Sequence, residues 1–340
     1  MLGWGLAWGP LMDWLRAFGR FFEQKIGLHR LGIILSVLII AVAAVVLYRK
    51  LHNMNVSKVL TAMSTVEYRD VAISALFVAL GYVTLTVYDF FALRAIGRSD
   101  VPYRVAALAG FTSYSVGHNV GASVFTGGAV RYRIYSAWGL DAIEVAKICF
   151  IAGLTFWLGN VTVLGFGFAY HPEAAAAIDQ LPLWLNRVLG LLALAILAGY
   201  IGWVWRTPRV IGRQNWKVLL PNGRLTLLQI LIGIIDLGCC ALAMYVLVPN
   251  EPHMMFVDIA VIFITATLLG FASHSPGGLG VFDAAMLIAL WQYDAEELLA
   301  GLLIFRLLYY ILPFTLALIT LGTRELLLHF KGRNRNVGDR

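Results

Sequence analysis

Apolar runs separated by short polar or glycine-rich connections recur along the chain. They fall at roughly 31–48, 71–96, 105–130, 147–169, 185–205, 225–247, 259–271, 279–291 and 298–322. Runs such as Leu31–Tyr48 and Val188–Trp205 approach the ~20 residues that a helix needs to cross bilayer hydrocarbon. Two places break the pattern. One is the stretch Phe111-Thr-Ser-Tyr-Ser-Val-Gly-His-Asn-Val-Gly-Ala-Ser-Val-Phe-Thr-Gly-Gly-Ala-Val-Arg-Tyr-Arg133. The other is Ser273-His-Ser-Pro-Gly-Gly-Leu-Gly280. Both are too polar and breakable for ordinary spans and too apolar for water-facing loops. Irregular backbone at membrane depth survives only inside protein or along a wet cavity, and transporters place their substrate sites in such interrupted segments.

Loop charge orders the segments. Arg206–Arg224 carries five basic residues and no acid, which predicts a cytoplasmic loop. The connections 170–184 and 248–258 hold no Lys or Arg and are predicted to face outward, as is the acidic turn at Asp294-Ala-Glu-Glu297. Arg16, Arg20, Lys25 and Arg30 place the N-terminus inside, and the basic tail from Arg324 places the C-terminus there too. Arg94, Arg98 and Arg104 before segment 105–130, and Arg131 and Arg133 after it, all read as cytoplasmic. That segment is therefore expected to enter and leave on one side, broken near Gly117–Gly121. The pair 259–271 and 279–291 is expected to do the same from outside. Loop 49–70 conflicts with this scheme, since it is assigned outside yet carries Arg49, Lys50, Lys58 and Arg69.

The expected fold is an all-α integral membrane protein, a polytopic bundle of two inverted repeats, each with a re-entrant broken hairpin. The first repeat spans 31–169 and the second 185–322, joined by an outer connection at 170–184. Residues 323–340 form a basic cytoplasmic tail. Residues 1–30 hold Trp4, Trp8, Leu11, Leu15, Phe18 and Phe22 at spacings of four and three, which predicts an amphipathic helix on the cytoplasmic leaflet.

Composition agrees: 60% of the 340 residues are hydrophobic, and mean hydropathy is +0.79. No stretch of ~100 soluble residues remains for a separate catalytic domain. The net charge of +7 sits mostly in loops, which argues against nucleic acid and for anionic lipid headgroups. Cys149, Cys239 and Cys240 lie in apolar segments without metal-ligand spacing and read as buried thiols.

Ionisable residues inside spans are costly and mark candidate sites. Asp89 lies deep in the second span and Asp236 in the corresponding span of the second half, each as a functional charge or a partner for an arginine. Arg306 is too deep in the last span to snorkel; it neutralises Asp236 or Asp283, or holds a lipid phosphate. His118 and Asn119 flank the first break, as cavity-lining groups or hydrogen-bonded core residues. Arg131 and Arg133 end that hairpin, either as anchors or as forks that match phosphate oxygens. In the second break, Pro276 stops the helix, while His274, Ser275, Gly277 and Gly278 lead into a helix start suited to an anion. Asp283 sits in that first turn, where it complements the helix dipole. The chain contains no Gly-x-Ser-x-Gly elbow, His-Glu-x-x-His, phosphate-binding loop or Cys/His metal spacing. It reads as a transporter rather than an enzyme, with no cofactor or metal expected.

Gly127-Gly-Ala-Val-Arg-Tyr-Arg133 and Ser275-Pro-Gly-Gly-Leu-Gly-Val-Phe-Asp283 resemble the two signature regions of the lysylphosphatidylglycerol synthase transmembrane family. The resemblance covers about 31–325. That family includes the flippase portion of the bacterial multiple peptide resistance factor and small stand-alone relatives. Asp283 stands where the family's usual residue is glutamate. The resemblance implies a lipid flippase of the bacterial cytoplasmic (inner) membrane, moving phosphatidylglycerol or its lysyl ester to the outer leaflet and so lowering sensitivity to cationic antimicrobial peptides. Implied alternatives are transport of a glycolipid or hopanoid, and the membrane part of a lipid-modifying enzyme. Nothing here matches the soluble aminoacyl-transferase domain of the longer members. Candidate partners are membrane phospholipids, a separate aminoacyl-lipid synthase and further copies of the chain.

Overall fold

The computed structural model describes residues 28–338, apart from 53, 122, 208, 214 and 215. The expected N-terminal amphipathic helix lies outside the described residues, save for its last few positions. The described chain begins with α1 (Leu28–Leu51) and the short α2 (Val56–Thr65), then α3 (Tyr68–Ala95). A helical hairpin follows, α4 (Tyr103–Val120) and α5 (Ser123–Tyr135), and then α6 (Ala142–Tyr170), α7 (Pro172–Asp179) and α8 (Leu183–Val204). After a two-stranded ribbon, β1 (Val210–Arg213) and β2 (Trp216–Leu219), come α9 (Gly223–Tyr245), α10 (Phe256–Ala272) and α11 (Val281–Ala289). The last run joins α12 (Ala295–Arg306) to α13 (Leu312–Gly338) through a π-helical turn at Leu307–Ile311. Among the described residues, α3, α6, α8, α9 and the run Ala295–Leu327 are long and apolar enough to cross a membrane. The protein is an all-α membrane protein, with one small ribbon among the described residues.

Local chemistry sets the helix ends. Asp141 and Glu144 form a reciprocal capping box that starts α6. Asn222 caps α9 by accepting from the Leu225 N–H, and Asp294 caps α12 through the N–H groups of Glu296 and Glu297. Polar residues within the spans bond to their own helix. Thr112, Ser115, Thr155 and Thr162 each donate to the carbonyl four residues back, which satisfies those four hydroxyls within their own helix.

The main core gathers α3, α6, α9, α10, α11 and α12 around Tyr88, Met244, Ile262, Phe282 and Phe305, all buried. A second cluster around Leu93, Ile134, Ile148 and Val218 packs the end of α3, the end of α5 and the start of α6 against the ribbon. At this end Arg98 donates to Asp100, Glu144 and the Trp138 carbonyl. Its guanidinium holds the exposed Asp100 carboxyl below the usual carboxylate range. The opposite end brings together Asp70 at the start of α3, Asn250 and His253 of the connection 248–258, and Tyr293 before α12. His171, which precedes α7, bonds Asp258 there (2.9 Å). The basic connection 49–70 thus ends beside 248–254.

Three features depart from the expected outline. The loop Arg206–Arg224 contains the β-ribbon, with Val210 opposite Leu219 and Trp216 edge-on to Phe150 at 5.6 Å. The connections 49–70 and 170–184 are not plain loops, because α2 packs on α12 and α7 on α10 and α11. Helix α13 also continues past the boundary expected at 322.

Helices α6 and α9 meet backbone to backbone. A β-carbon added at Gly159 would stand 2.8 Å from the Gly233 Cα, closer than packed atoms allow, and small residues are what permit such an approach between membrane helices. Gly159→Ala should cost about 1–3 kcal/mol by overpacking, seen as a lower thermal unfolding midpoint in detergent. Gly153→Ala, on the same helix with nothing within 4 Å of its added carbon, should leave the midpoint unchanged or raise it.

Candidate functional site

The two chain breaks meet inside the bundle. Helix α4 ends at Gly121, whose φ of 82° suits glycine, and a β-carbon there would lie 3.5 Å from Pro276 of the second break. His274, Gly277, Gly278 and Gly280 all have positive φ, which turns the chain sharply from α10 into α11. The π turn completes this junction. An i→i+5 turn re-aims backbone groups that a regular helix would hold, and Asn119 donates to the Tyr310 carbonyl in it (3.1 Å) as well as to Ser115 (2.8 Å).

Two buried arginine–carboxylate pairs brace the hairpins. Arg131, 5% exposed, grips Asp89, 0% exposed, through Nη2 at 2.7 Å and Nε at 2.9 Å. The Tyr135 hydroxyl donates to the same carboxylate (2.8 Å), and the Arg131 guanidinium lies 4.7 Å from the centre of the Tyr114 ring. In the second hairpin, Arg306 holds Asp283 through Nη2 at 2.6 Å and Nε at 2.9 Å, and donates to the Gly277 carbonyl at 3.2 Å. Asp283 accepts from the Gly280 N–H (3.1 Å). The anion at this helix start is therefore the chain's own carboxylate. Planar, bidentate pairing is the geometry in which an arginine is best satisfied away from water.

Among the described residues, Asp236 has no such partner. It is 4% exposed; the Tyr88 hydroxyl lies 3.1 Å from Oδ2 and the Thr84 hydroxyl 2.8 Å from Oδ1. It lines a small cavity of about 40 Å³ with Tyr114, His118, Asn160, Cys240 and Tyr309. The His118 ring stacks on Tyr309 (6.1 Å between centres, 17° between planes). A second space opens on the outer face of α3 and α4, an apolar groove of about 370 Å³ walled by Ala79, Tyr82, Ala107, Phe111, Leu312 and Leu316. Tyr82 connects the two, since its hydroxyl donates to the Tyr309 carbonyl (3.0 Å).

With this arrangement in view, the comparison with known proteins is decisive for family. The sequence profile described as "Lysylphosphatidylglycerol synthase TM region" matches residues 33–317. The chain belongs to that family. It is 30% identical over 316 residues to "Uncharacterized protein slr0712" of Synechocystis, covering 93% of this chain and 97% of that one. It is 28% identical over 250 residues to "Inner membrane protein YbhN" of Escherichia coli, covering 71% and 76%. It is 24% identical over 278 residues to a Staphylococcus aureus protein named "Phosphatidylglycerol lysyltransferase". That match takes in 81% of this chain but only 32% of the longer protein.

Within this lysylphosphatidylglycerol synthase TM region fold, most residues singled out from sequence converge on the junction, in roles the sequence left open. Asp89 is the partner of Arg131, and the fork that Arg131 offers to a phosphate is filled by that carboxylate. Arg306 takes Asp283, not Asp236. Asp89 and Asp236, which segment order made equivalent, differ: one is ion-paired and the other is not. Arg133 lies at the surface, paired with Glu325 (2.6 Å). His274 is exposed, its ring bonded to the Ala272 carbonyl, while Ser275 bonds within the break. The sequence reading missed Thr84, Tyr88, Tyr114, Asn160 and Tyr309. Thr84 and Tyr88 stand one turn apart just before Asp89, and Asn160 is an amide in an apolar run, so a search for polar residues inside spans would have found them. Tyr309 carried no signal, because its inward position depends on the π turn.

Breaking either partner of the Arg131–Asp89 pair strands a buried charge, at a cost of about 3–5 kcal/mol. Asp89→Ala should therefore lower the yield and unfolding midpoint of purified protein sharply, and the double variant Asp89→Leu/Arg131→Met should recover most of the loss. A double variant no better than the single one would show that the charges serve something other than the fold.

Proposed function

We propose that the protein transfers a phospholipid between the leaflets of the bacterial inner membrane, with phosphatidylglycerol or an aminoacyl ester such as lysyl-phosphatidylglycerol as cargo. The observation that carries this reading is the apolar groove of about 370 Å³ on the bundle's outer face, one hydrogen bond away from the polar junction. Its size is that of a ligand site, and acyl chains are the solvent around it. A lipid held there keeps its tails in hydrocarbon while its headgroup follows the polar residues toward the meeting hairpin breaks, where the protein lowers the cost of moving charge through the apolar layer.

The same proposal includes the topology. The α4–α5 hairpin and the α10–α11 pair are re-entrant, each entering and leaving at its own end of the bundle, in two inverted halves. Supporting it, Arg98 ties the end of α3 to the entry of α6, with Tyr103 and Tyr135 of the hairpin packed beside them. Broken helices that meet at mid-membrane are the recurrent plan of secondary transporters. The name of the Staphylococcus aureus relatives favours a second reading, in which this fold serves a lipid-modifying enzyme that it only partly spans.

Liposomes containing the purified protein and a fluorescent phospholipid separate the two readings: leaflet exchange without covalent change supports transfer, and a new lipid species supports the enzyme. Ala79→Trp and Ala107→Trp should each fill the groove and slow exchange severalfold, while Ile196→Trp on the exposed face of α8 should not; equal rates in all three would remove the groove from the path. For the topology, single cysteines at Arg104 and Arg133 in a cysteine-free background should react from the same side with an impermeant thiol reagent. Opposite sides would overturn the re-entrant hairpin.

A further inference from the structure

Of the three buried aspartates among the described residues, Asp89 and Asp283 each face an arginine fork. Asp236, among the described residues, makes no ion pair. Its neighbours are the hydroxyls of Thr84 and Tyr88, and the protons available to them can be counted. Thr84 Oγ1 lies 2.8 Å from Asp236 Oδ1 and 2.6 Å from the Gly81 carbonyl three residues back. A hydroxyl has one proton to donate. If Asp236 were ionised, two acceptors would compete for it. The Gly81 contact is the shorter, and it is the back-bond that a threonine makes within a helix. The proton of the Thr84–Asp236 contact then belongs to the carboxyl group. Protonated Asp236 donates from Oδ1 to Thr84, Thr84 donates to Gly81, and Tyr88 donates to Oδ2, with one proton for each contact.

The cavity supplies an independent observation. Its volume of about 40 Å³ has room for a few waters at roughly 10–15 Å³ each, and none for a lipid headgroup. His118 and Asn160 line it with Asp236, and His118 Nδ1 and Asn160 Oδ1 are buried without a hydrogen-bond partner. Buried polar atoms are rarely left so. The groups around Asp236 are uncharged or already engaged. Helix α3 brings Thr84 and Tyr88, α4 Tyr114 and His118, α6 Asn160, α10 Thr267, the π turn Tyr309 and Tyr310, and α9 itself Cys239 and Cys240. Arg187 and Tyr200 of α8, and Glu296, Glu297 and Arg306 of α12, make no bond to it.

We propose that Asp236, with His118 and Asn160 around this cavity, is a proton-binding site that loads and releases one proton per cycle and couples lipid transfer to the proton gradient. The coupling rests on the function proposed above; the proton site does not. On release, the carboxyl O–H bond breaks, its electron pair stays on Asp236, and the proton passes to a cavity water and on to His118 Nδ1 or out to solvent. The carboxylate left behind competes with the Gly81 carbonyl for the Thr84 proton. That rearranges the contact between α3 and α9, the helices whose neighbours form the groove and the junction.

Infrared spectroscopy of the purified protein at neutral pH reads the site directly. The parent should show a protonated-carboxyl band that shifts in heavy water, vanishes in Asp236→Asn and moves without vanishing in Tyr88→Phe. A parent without the band, or an Asp236→Asn protein that keeps it, overturns the site. In liposomes, an imposed pH gradient should speed exchange of fluorescent phosphatidylglycerol severalfold for the parent and leave Asp236→Asn unresponsive. A gradient response in Asp236→Asn equal to that of the parent overturns the coupling, as does gradient-independent exchange by the parent, with lipid transfer itself upheld. Exchange that follows a cationic headgroup and ignores the gradient makes Asp236 a headgroup site and overturns the proposal. A parent with the infrared band and no exchange under any gradient refutes lipid transfer and the coupling with it, and leaves the proton site standing.

Discussion

Hydrocarbon offers no hydrogen-bond partner to a backbone amide or a charged side chain, and the polar interior of this bundle is arranged around that constraint. The Arg131–Asp89 pair is the centre of the arrangement. It ties the exit arm of the first hairpin to α3, and α3 carries Thr84 and Tyr88 to Asp236 and Tyr82 to the π turn. Without the pair, α5 would place an unpaired arginine in the bundle's interior and the hairpin would lose its fixed position. The second pair, Arg306–Asp283, does the same for the other break by clamping Gly277 and Gly280 to the last span.

Irregular backbone is confined to places that this scaffold can satisfy. Gly121, the 273–280 segment and the π turn are three separate departures from helix, and they touch one another. The π turn and the 273–280 segment leave carbonyls that neighbouring side chains bond, as when Asn119 reaches the Tyr310 carbonyl and Arg306 the Gly277 carbonyl. Concentrated in this way, the breaks form a polar junction inside the bundle, while the long spans expose large apolar side chains such as Leu191, Ile196 and Leu231.

The contrast among the three aspartates separates scaffold from site. Paired carboxylates are held by strong, directional contacts and resist change. Asp236 is held only by hydroxyls, beside a small cavity with unbonded polar atoms, and stands where α3 and α9 meet close to the Gly159–Gly233 crossing of α6 and α9. A group so placed responds to its protonation state, and the rigid pairs on either side give that response something to act against.

The sequence by itself determined the membrane class, the order of the apolar segments, the positions of the two breaks and the family, because segment length, hydropathy and glycine–proline chemistry are local properties. It also marked Asp89, Arg131, Asp236, Asp283 and Arg306, since a charge within an apolar run is conspicuous wherever it falls. Only the tertiary structure decided who pairs with whom. Arg306 has Asp236 and Asp283 as rivals in sequence, and the choice depends on α11 turning at Gly280 to present Asp283. Thr84 and Tyr88 join the site because α3 crosses α9 within hydrogen-bond reach of Asp236, and Asn160 because α6 closes the cavity beside them. Tyr309 joins it because a π turn rotates the last span, and the ribbon at 210–219 forms where a basic loop finds Phe150 to pack on. Such pairings depend on distances between segments far apart in the chain, and no local pattern of residue types encodes them.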